Sequence, residues 1–354
     1  MCKLNELLKG KKLYLYGAGN LGKLLLKVLN EKGISVEGFF DIRDLSNVSG
    51  IKVYNPFTCG NSIKKDNTLI IVSIFNRDID FLFLRNQLNS MEFKNVLSFI
   101  DIYPHLADLI GPYYWLSNNF SGLSDDSKVN QVYNLFSDDL SKDTFRSIMN
   151  TRKNNCYESL PPSLPIEDQY FSIDIPISKF DTFIDCGAYN GDTVDIMRNK
   201  GIQFEQIYAF EPDLINFREL SDKMYKYDIK ATLYPCGVYS ACDFLRFNTG
   251  LGEGSNISLS GDTFVQCVAL DEVLINLDLH SVYLKMDIEG AELDALKGSE
   301  KFIHKYQPDM AICVYHKPED ILDIPLLINS YGDYKFYLRQ YGYFGMDLVL
   351  YAIK

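Results

Sequence analysis

The chain has 354 residues, 47% of them apolar and 23% charged, a globular composition with material for about two domains. Thirty-five Lys and Arg against 47 Asp and Glu leave a formal charge of −12, which disfavours nucleic acid and anionic bilayers as partners. No run of 18 apolar residues predicts a membrane span, and Met1 to Gly10 lacks the apolar core of a secretory signal. The eight scattered cysteines form no Cys-x-x-Cys pair, so reduced thiols and a cytoplasmic location are expected.

Residues 13–16 predict a buried strand that runs into Gly17-Ala18-Gly19-Asn20-Leu21-Gly22. Leu21, Leu24, Leu25, Val28 and Leu29 then share one helical face, Gly33 stops the helix, and residues 36–40 predict a second strand ending at Asp41. Strand, glycine turn, helix, strand, acid is a nucleotide-binding order. Amides at the helix start hold phosphate, and the acid accepts from ribose hydroxyls. Gly17, Gly19, Gly22 and Asp41 are therefore candidates for a nucleotide or nucleotide-sugar ligand, with tight helix–strand packing as the alternative use of the glycines. Residues 69–74 and 96–99 predict two more strands around a helix at 78–89, which completes one mononucleotide-binding half in a first domain at 1–110.

Residues 111–165 read as a helical connector. Val129, Val132, Tyr133 and Phe136 keep helical spacing, Phe145, Ile148 and Met149 repeat it, and prolines at 161, 162, 165 and 176 end it. A second strand–turn–helix opens the domain at 166–354, with residues 182–185 leading into Cys186-Gly187-Ala188-Tyr189-Asn190-Gly191. Here an acid, Asp185, closes the strand ahead of the glycines, and the next strand, 207–210, ends at Glu211-Pro212. This suits S-adenosylmethionine better than a dinucleotide: no pyrophosphate needs cradling, Asp185 can meet the α-ammonium directly or through water, and Glu211 can accept both ribose hydroxyls. Gly187 and Gly191 let the chain pass close to such a ligand.

Further strands are expected at 232–235 and, as an inserted hairpin, at 244–247 and 264–270, around the glycine-rich loop 250–256. The buried-type strand 282–287 ends at Asp287 and runs into Glu289 and Glu292. In open α/β sheets, ligands sit beyond the carboxyl ends of strands, which makes Asp287 and Glu289 site candidates. Preference for acids at a helix N-terminus accounts for Glu292. The strand at 310–315 ends at His316, a candidate general base, with Asp287 the second candidate or the ligand of a divalent ion. No complete metal-ligand set is legible.

The stretches 183–193 (FIDCGAYNGDT), 209–212 (AFEP), 284–292 (LKMDIEGAE) and 314–325 (VYHKPEDILDIP) resemble the FkbM-type methyltransferase family over about residues 130–350. The resemblance implies a class I methyltransferase fold with a mixed seven-stranded sheet, the second of two Rossmann-like α/β domains. It also implies methylation of a hydroxyl from S-adenosyl-L-methionine, on a small molecule or a sugar of a bacterial surface glycan. By that likeness Asp185, Gly187, Ala188, Gly191, Glu211 and Pro212 hold the cofactor, and Asp287, Glu289 and His316 face the acceptor. Cys236-Gly237 stands where many members carry Asn-Ala, so no adenine contact is assigned there. Residues 1–110 are similar to the N-terminal Rossmann-like half of bacterial sugar acetyltransferases, which engages nucleotide-sugars. Two rivals remain at this stage: a non-catalytic nucleotide-sugar-binding scaffold and an NAD-dependent oxidoreductase. The absence of a Tyr-x-x-x-Lys pair in the first domain weighs against the latter.

Overall fold

The apolar runs gather into two sheets built on parallel strands, each in its own compact unit. The computed structural model describes residues 6, 8–60, 63–117, 122, 125–247 and 263–354. One unit comprises Met1–Leu123, Arg146–Ser163 and Gly342–Met346, and the other Ser124–Phe145, Leu164–Tyr341 and Asp347–Lys354.

In the first unit, β1 (Lys12–Tyr16), β2 (Val36–Phe40), β3 (Asn47–Val48), β4 (Ile51–Tyr54), β5 (Thr68–Val72) and β6 (Asn95–Ser98) lie in the order β3-β4-β2-β1-β5-β6. All pairs are parallel except the β3–β4 hairpin, whose turn residues Ser49 and Gly50 both take positive φ, as tight hairpins require. β5 is buried at all five positions, the pattern of a parallel strand covered on both faces. The helix Asn20–Glu31 buries Leu21, Leu25, Leu26, Val28 and Leu29, close to the expected stripe, and ends at Gly33 with φ of 72°.

The second unit contains β7 (Thr182–Cys186), β8 (Gln206–Phe210), β9 (Ala231–Tyr234), β10 (Gly237–Val238), β11 (Asp243–Phe247), β12 (Thr263–Val268), β13 (Val282–Met286), β14 (Asp309–Cys313), β15 (Lys335–Gln340) and β16 (Leu348–Ile353). Seven of them form the sheet β15-β16-β14-β13-β7-β8-β9, in which only β16 runs antiparallel to its neighbours. This is the mixed seven-stranded sheet that the resemblance implied. The chain winds outward from β7 to β9 and then returns to place β13 on the other side of β7. That reversal opens a crevice at the carboxyl ends of β7 and β13, where open α/β sheets bind ligands.

The expected inserted hairpin is the antiparallel pair β11–β12, which joins β10 in a separate three-stranded sheet; the glycine-rich loop at 250–256 lies outside the described residues. Cys186, Cys236, Cys267 and Cys313 are buried with free thiols. The irregular stretch after Leu164 is tied to the sheet by polar contacts. Arg339 on β15 is 1% exposed and places Nη2 2.6 Å from both Asp138 Oδ2 and Asp174 Oδ2. Ser178 N donates to Asp309 Oδ2 at 2.8 Å, and the Tyr283 hydroxyl donates to the Tyr170 carbonyl. These ties fix Tyr170 beside the crevice.

Candidate active site

At the end of β7 the chain turns through Gly187, Tyr189 and Gly191, all with positive φ. Gly187 has a second constraint: a Cβ there would sit 1.9 Å from the Asp287 carbonyl oxygen, so only glycine allows the β7 turn and the end of β13 to touch. The amides of Gly187 and Ala188 both donate to Phe210 O at 3.0 Å, which ties the turn to the end of β8. Glu211 follows directly. It is 6% exposed, accepts from Tyr189 N at 2.9 Å through Oε2 and from Asp213 N at 2.8 Å through Oε1. Burial pushes its carboxyl above the ordinary value, against the pull of those amides. The structure thus brings Asp185, Gly187, Ala188, Gly191, Glu211 and Pro212 together at two adjacent strand ends.

Asp185 has a partner that the sequence reading missed. In the β7–β13 register it lies opposite Lys285, whose Nζ is 3.0 Å from Asp185 Oδ1 and donates to Gly187 O at 2.6 Å. Both side chains are buried, at 0% and 3% exposure. Burial pushes Asp185 up to about 6, with the Lys285 charge opposing it. For Lys285, burial favours the neutral amine, but the Asp185 and Asp287 carboxylates outweigh it and the ammonium is held above its usual range. Asp185 Oδ2 makes no hydrogen bond among the described residues. The signal for this pair was present: a lysine inside the otherwise apolar strand VYLKM needs a buried counter-ion.

A carboxylate–imidazole corner lies across the crevice. Asp287 follows β13, Glu289 sits at φ of 55° ahead of Gly290, and Glu292 starts the helix Glu292–Lys297. His316, beyond β14, is 3% exposed and faces all three: Nε2 is 3.4 Å from Asp287 Oδ1 and 3.5 Å from Glu289 Oε2, and Nδ1 is 2.8 Å from Glu292 Oε1. Burial alone would lower the histidine pKa. The carboxylates of Glu292, Glu289 and Asp287 reverse this and raise it well above the ordinary value.

Glu292, explained in the sequence by helix-terminus electrostatics alone, is fully buried, and its Oε1 also accepts from Ile288 N at 2.9 Å. Two further residues that the sequence did not single out join the corner. Tyr170, in the irregular stretch, donates its hydroxyl to Asp287 Oδ2 at 2.6 Å and accepts from Gln169 Nε2 at 3.0 Å. Asp320 is 1% exposed; burial, reinforced by the Glu292 charge, pushes it up to about 7.

The N-terminal candidates form a separate cluster in the first unit. A Cβ at Gly22 would lie 2.1 Å from Gly17 O, and one at Gly17 would lie 2.7 Å from Ile74 Cγ1, while Gly19 has open space around it. Asp41 is 5% exposed, accepts from Ala18 N at 2.9 Å and forms a paired contact with Arg43 through Nε at 2.9 Å and Nη2 at 2.7 Å. The Arg43 guanidinium, aided by those amide bonds and opposed by burial, holds Asp41 down to about 2. Two of the three glycines thus serve close packing, and the acid already has protein donors.

Residues 185–344 match the family model described as the methyltransferase FkbM domain. Among solved structures, the methyltransferase FkbM from Methylobacillus flagellatus KT superposes with a TM-score of 0.79 at 21% identity, covering 99% of this chain and 93% of that one. More distant are a SAM-dependent methyltransferase from Aquifex aeolicus, with a TM-score of 0.32 at 13% identity over 53% of this chain and 89% of that one. Aeropyrum pernix fibrillarin in complex with S-adenosyl-L-methionine has a TM-score of 0.30 at 13% identity over 51% and 70%. No curated protein matches the chain. The sheet order and the family match over the same strand ends make residues 185–344 a methyltransferase domain of the FkbM family.

Proposed function

We propose that the chain is an S-adenosylmethionine-dependent O-methyltransferase whose acceptor is a hydroxyl on a small molecule or glycan sugar. One observation carries this reading. The Gly187 turn, flanked by Asp185 and Glu211, is in backbone contact with Asp287, which begins the carboxylate–imidazole corner. A cofactor-binding edge and an acid–base corner therefore share one crevice.

The residues fit the cofactor. Asp185 Oδ2, buried without a hydrogen bond among the described residues, is suited to an α-ammonium directly or through a water. Glu211, fixed by two backbone amides, keeps lone pairs for ribose hydroxyls at the tip of β8. When bound, S-adenosylmethionine supplies an electrophilic methyl group on a sulfonium. The task of the corner is to hold an acceptor oxygen in line, about 3 Å from that carbon, and to take its proton. Proton removal by positioned groups contributes on the order of 10²–10⁴ to such a step. Asp287, Glu289 and His316 are the residues that do this.

The N-terminal unit is proposed to engage a nucleotide-sugar or to dock, and its closed Asp41–Arg43 pair favours docking. A cytoplasmic glycan-modifying setting accords with this reading; no helix among the described residues is long and apolar enough to cross a membrane.

The test is calorimetric titration of the full chain with S-adenosylhomocysteine, followed by transfer of labelled methyl to a panel of sugar hydroxyls. One-to-one binding in the micromolar range is expected. Absence of heat at several temperatures overturns the proposal.

A further inference from the structure

We propose that Asp287, Glu292 and His316 form a binding site for a divalent cation of the manganese or magnesium type. One ligand atom from each lies within 4.8 Å of the others, all at the crevice end of β13 and β14. Ligand atoms around a cation at ~2.1–2.2 Å lie about 3–4.4 Å apart, so the three converge with shifts of a few tenths of an ångström. The mixture of imidazole and hard carboxylate oxygen suits such an ion.

Two observations beyond the clustering of acids point to a ligand. His316 Nε2, on a side chain only 3% exposed, makes no hydrogen bond among the described residues, and its nearest carboxylate oxygens stand at 3.4 and 3.5 Å, outside the ~2.7–2.9 Å of a charge-assisted bond. Glu292 Oε2 is likewise buried without a hydrogen bond among the described residues, although Oε1 is anchored on Ile288 N. A buried imidazole nitrogen and a buried carboxylate oxygen of this cluster therefore both make no hydrogen bond among the described residues. Charge supports the same conclusion. Asp287, Glu289 and Glu292 surround one imidazole, while the nearby cation Lys285 is already paired with Asp185. A buried excess of negative charge of this kind is unfavourable unless a cation neutralises it.

For its use, though not for its existence, this inference rests on the methyl-acceptor reading. An acceptor hydroxyl taking an open coordination position is acidified by the ion. Binding of the ion releases the proton from the ligating His316 nitrogen to solvent; with His316 and Asp287 engaged as ligands, the acceptor's proton passes to Glu289, whose side chain is 25% exposed.

The test binds Mn2+ to the full chain without cofactor or acceptor, by calorimetry and by loss of the free-ion paramagnetic resonance signal. One Mn2+ per chain is expected, with Kd weakened at least tenfold in Asp287→Asn and in Glu292→Gln, and unchanged in Asp41→Asn. A second readout needs no variant. The chain has four histidines, and Mn2+ should broaden the imidazole resonances of His316 while sparing His105, His280 and His304. No uptake by folded protein, or broadening at another histidine, overturns the proposal. Uptake without S-adenosylhomocysteine binding leaves the cation site standing and removes the methyltransferase reading; the reverse pattern does the opposite.

Discussion

Replacing Lys285 with Met isolates the buried charge beneath the Gly187 turn. In the native chain Lys285 Nζ neutralises Asp185 at 3.0 Å and donates to Gly187 O at 2.6 Å, with both side chains almost wholly buried. Methionine keeps the volume but leaves a carboxylate in an apolar strand core. Removing one partner of such a pair costs about 3–5 kcal/mol, whereas replacing both with neutral groups of similar shape is close to neutral. Lys285→Met should therefore lose about 3–5 kcal/mol, and Asp185→Asn/Lys285→Met should recover most of it. Urea unfolding followed by far-UV circular dichroism measures the loss. The pH response gives an independent sign. Asp185 in the native fold is already pushed up to about 6, and losing the lysine raises it further. An acid whose folded value exceeds its unfolded value destabilises progressively as pH rises through that interval. The defect of Lys285→Met should thus be small near pH 4 and grow toward neutrality. A loss under 1 kcal/mol at pH 7, or a double variant no better than the single one, refutes the reasoning.

Gly187→Ala places a methyl 1.9 Å from the Asp287 carbonyl at φ of 81°. Left-handed strain alone costs ~1–2 kcal/mol, so a total loss of about 3 kcal/mol or more by thermal unfolding is expected, and a near-native melting curve contradicts the contact. Glu211→Ala should weaken S-adenosylhomocysteine binding more than tenfold by calorimetry, and wild-type affinity removes the ribose role. In the first unit, Asp41 is held down to about 2 by Arg43, so its contribution is present above about pH 4 and is lost as pH falls toward 2. Because Arg43 is 59% exposed, solvent reduces the effect to about 1 kcal/mol. Asp41→Asn should show that deficit at pH 6 and none near pH 2, read by Trp115 fluorescence; a constant deficit assigns it to lost packing.

Local pattern announced what local physics controls. Strands β7, β8, β13 and β14 are short apolar runs ending in an acid or a histidine, and the ends of parallel strands meet in one crevice whatever the intervening loops do. Asp185, Glu211, Asp287, Glu289 and His316 were legible for that reason. Lys285 was visible as an anomaly, but its partner depends on which strand pairs with which, a non-local choice. Tyr170 was hidden because no periodicity governs the proline-rich stretch that carries it; its place is set by distant ties such as Arg339 to Asp174. Glu292 misled because two physical causes, the helix terminus and the imidazole, favour an acid at the same position. The β3–β4 hairpin escaped notice because its two strands are too short to show alternation.

The contact between Gly187 and Asp287, reinforced by the bridge from Lys285 Nζ to Gly187 O, also bears on how such an enzyme diversifies. On the proposed reading, methyl-donor handling and acceptor activation share one brace, so a substitution on either side of it is expected to perturb both.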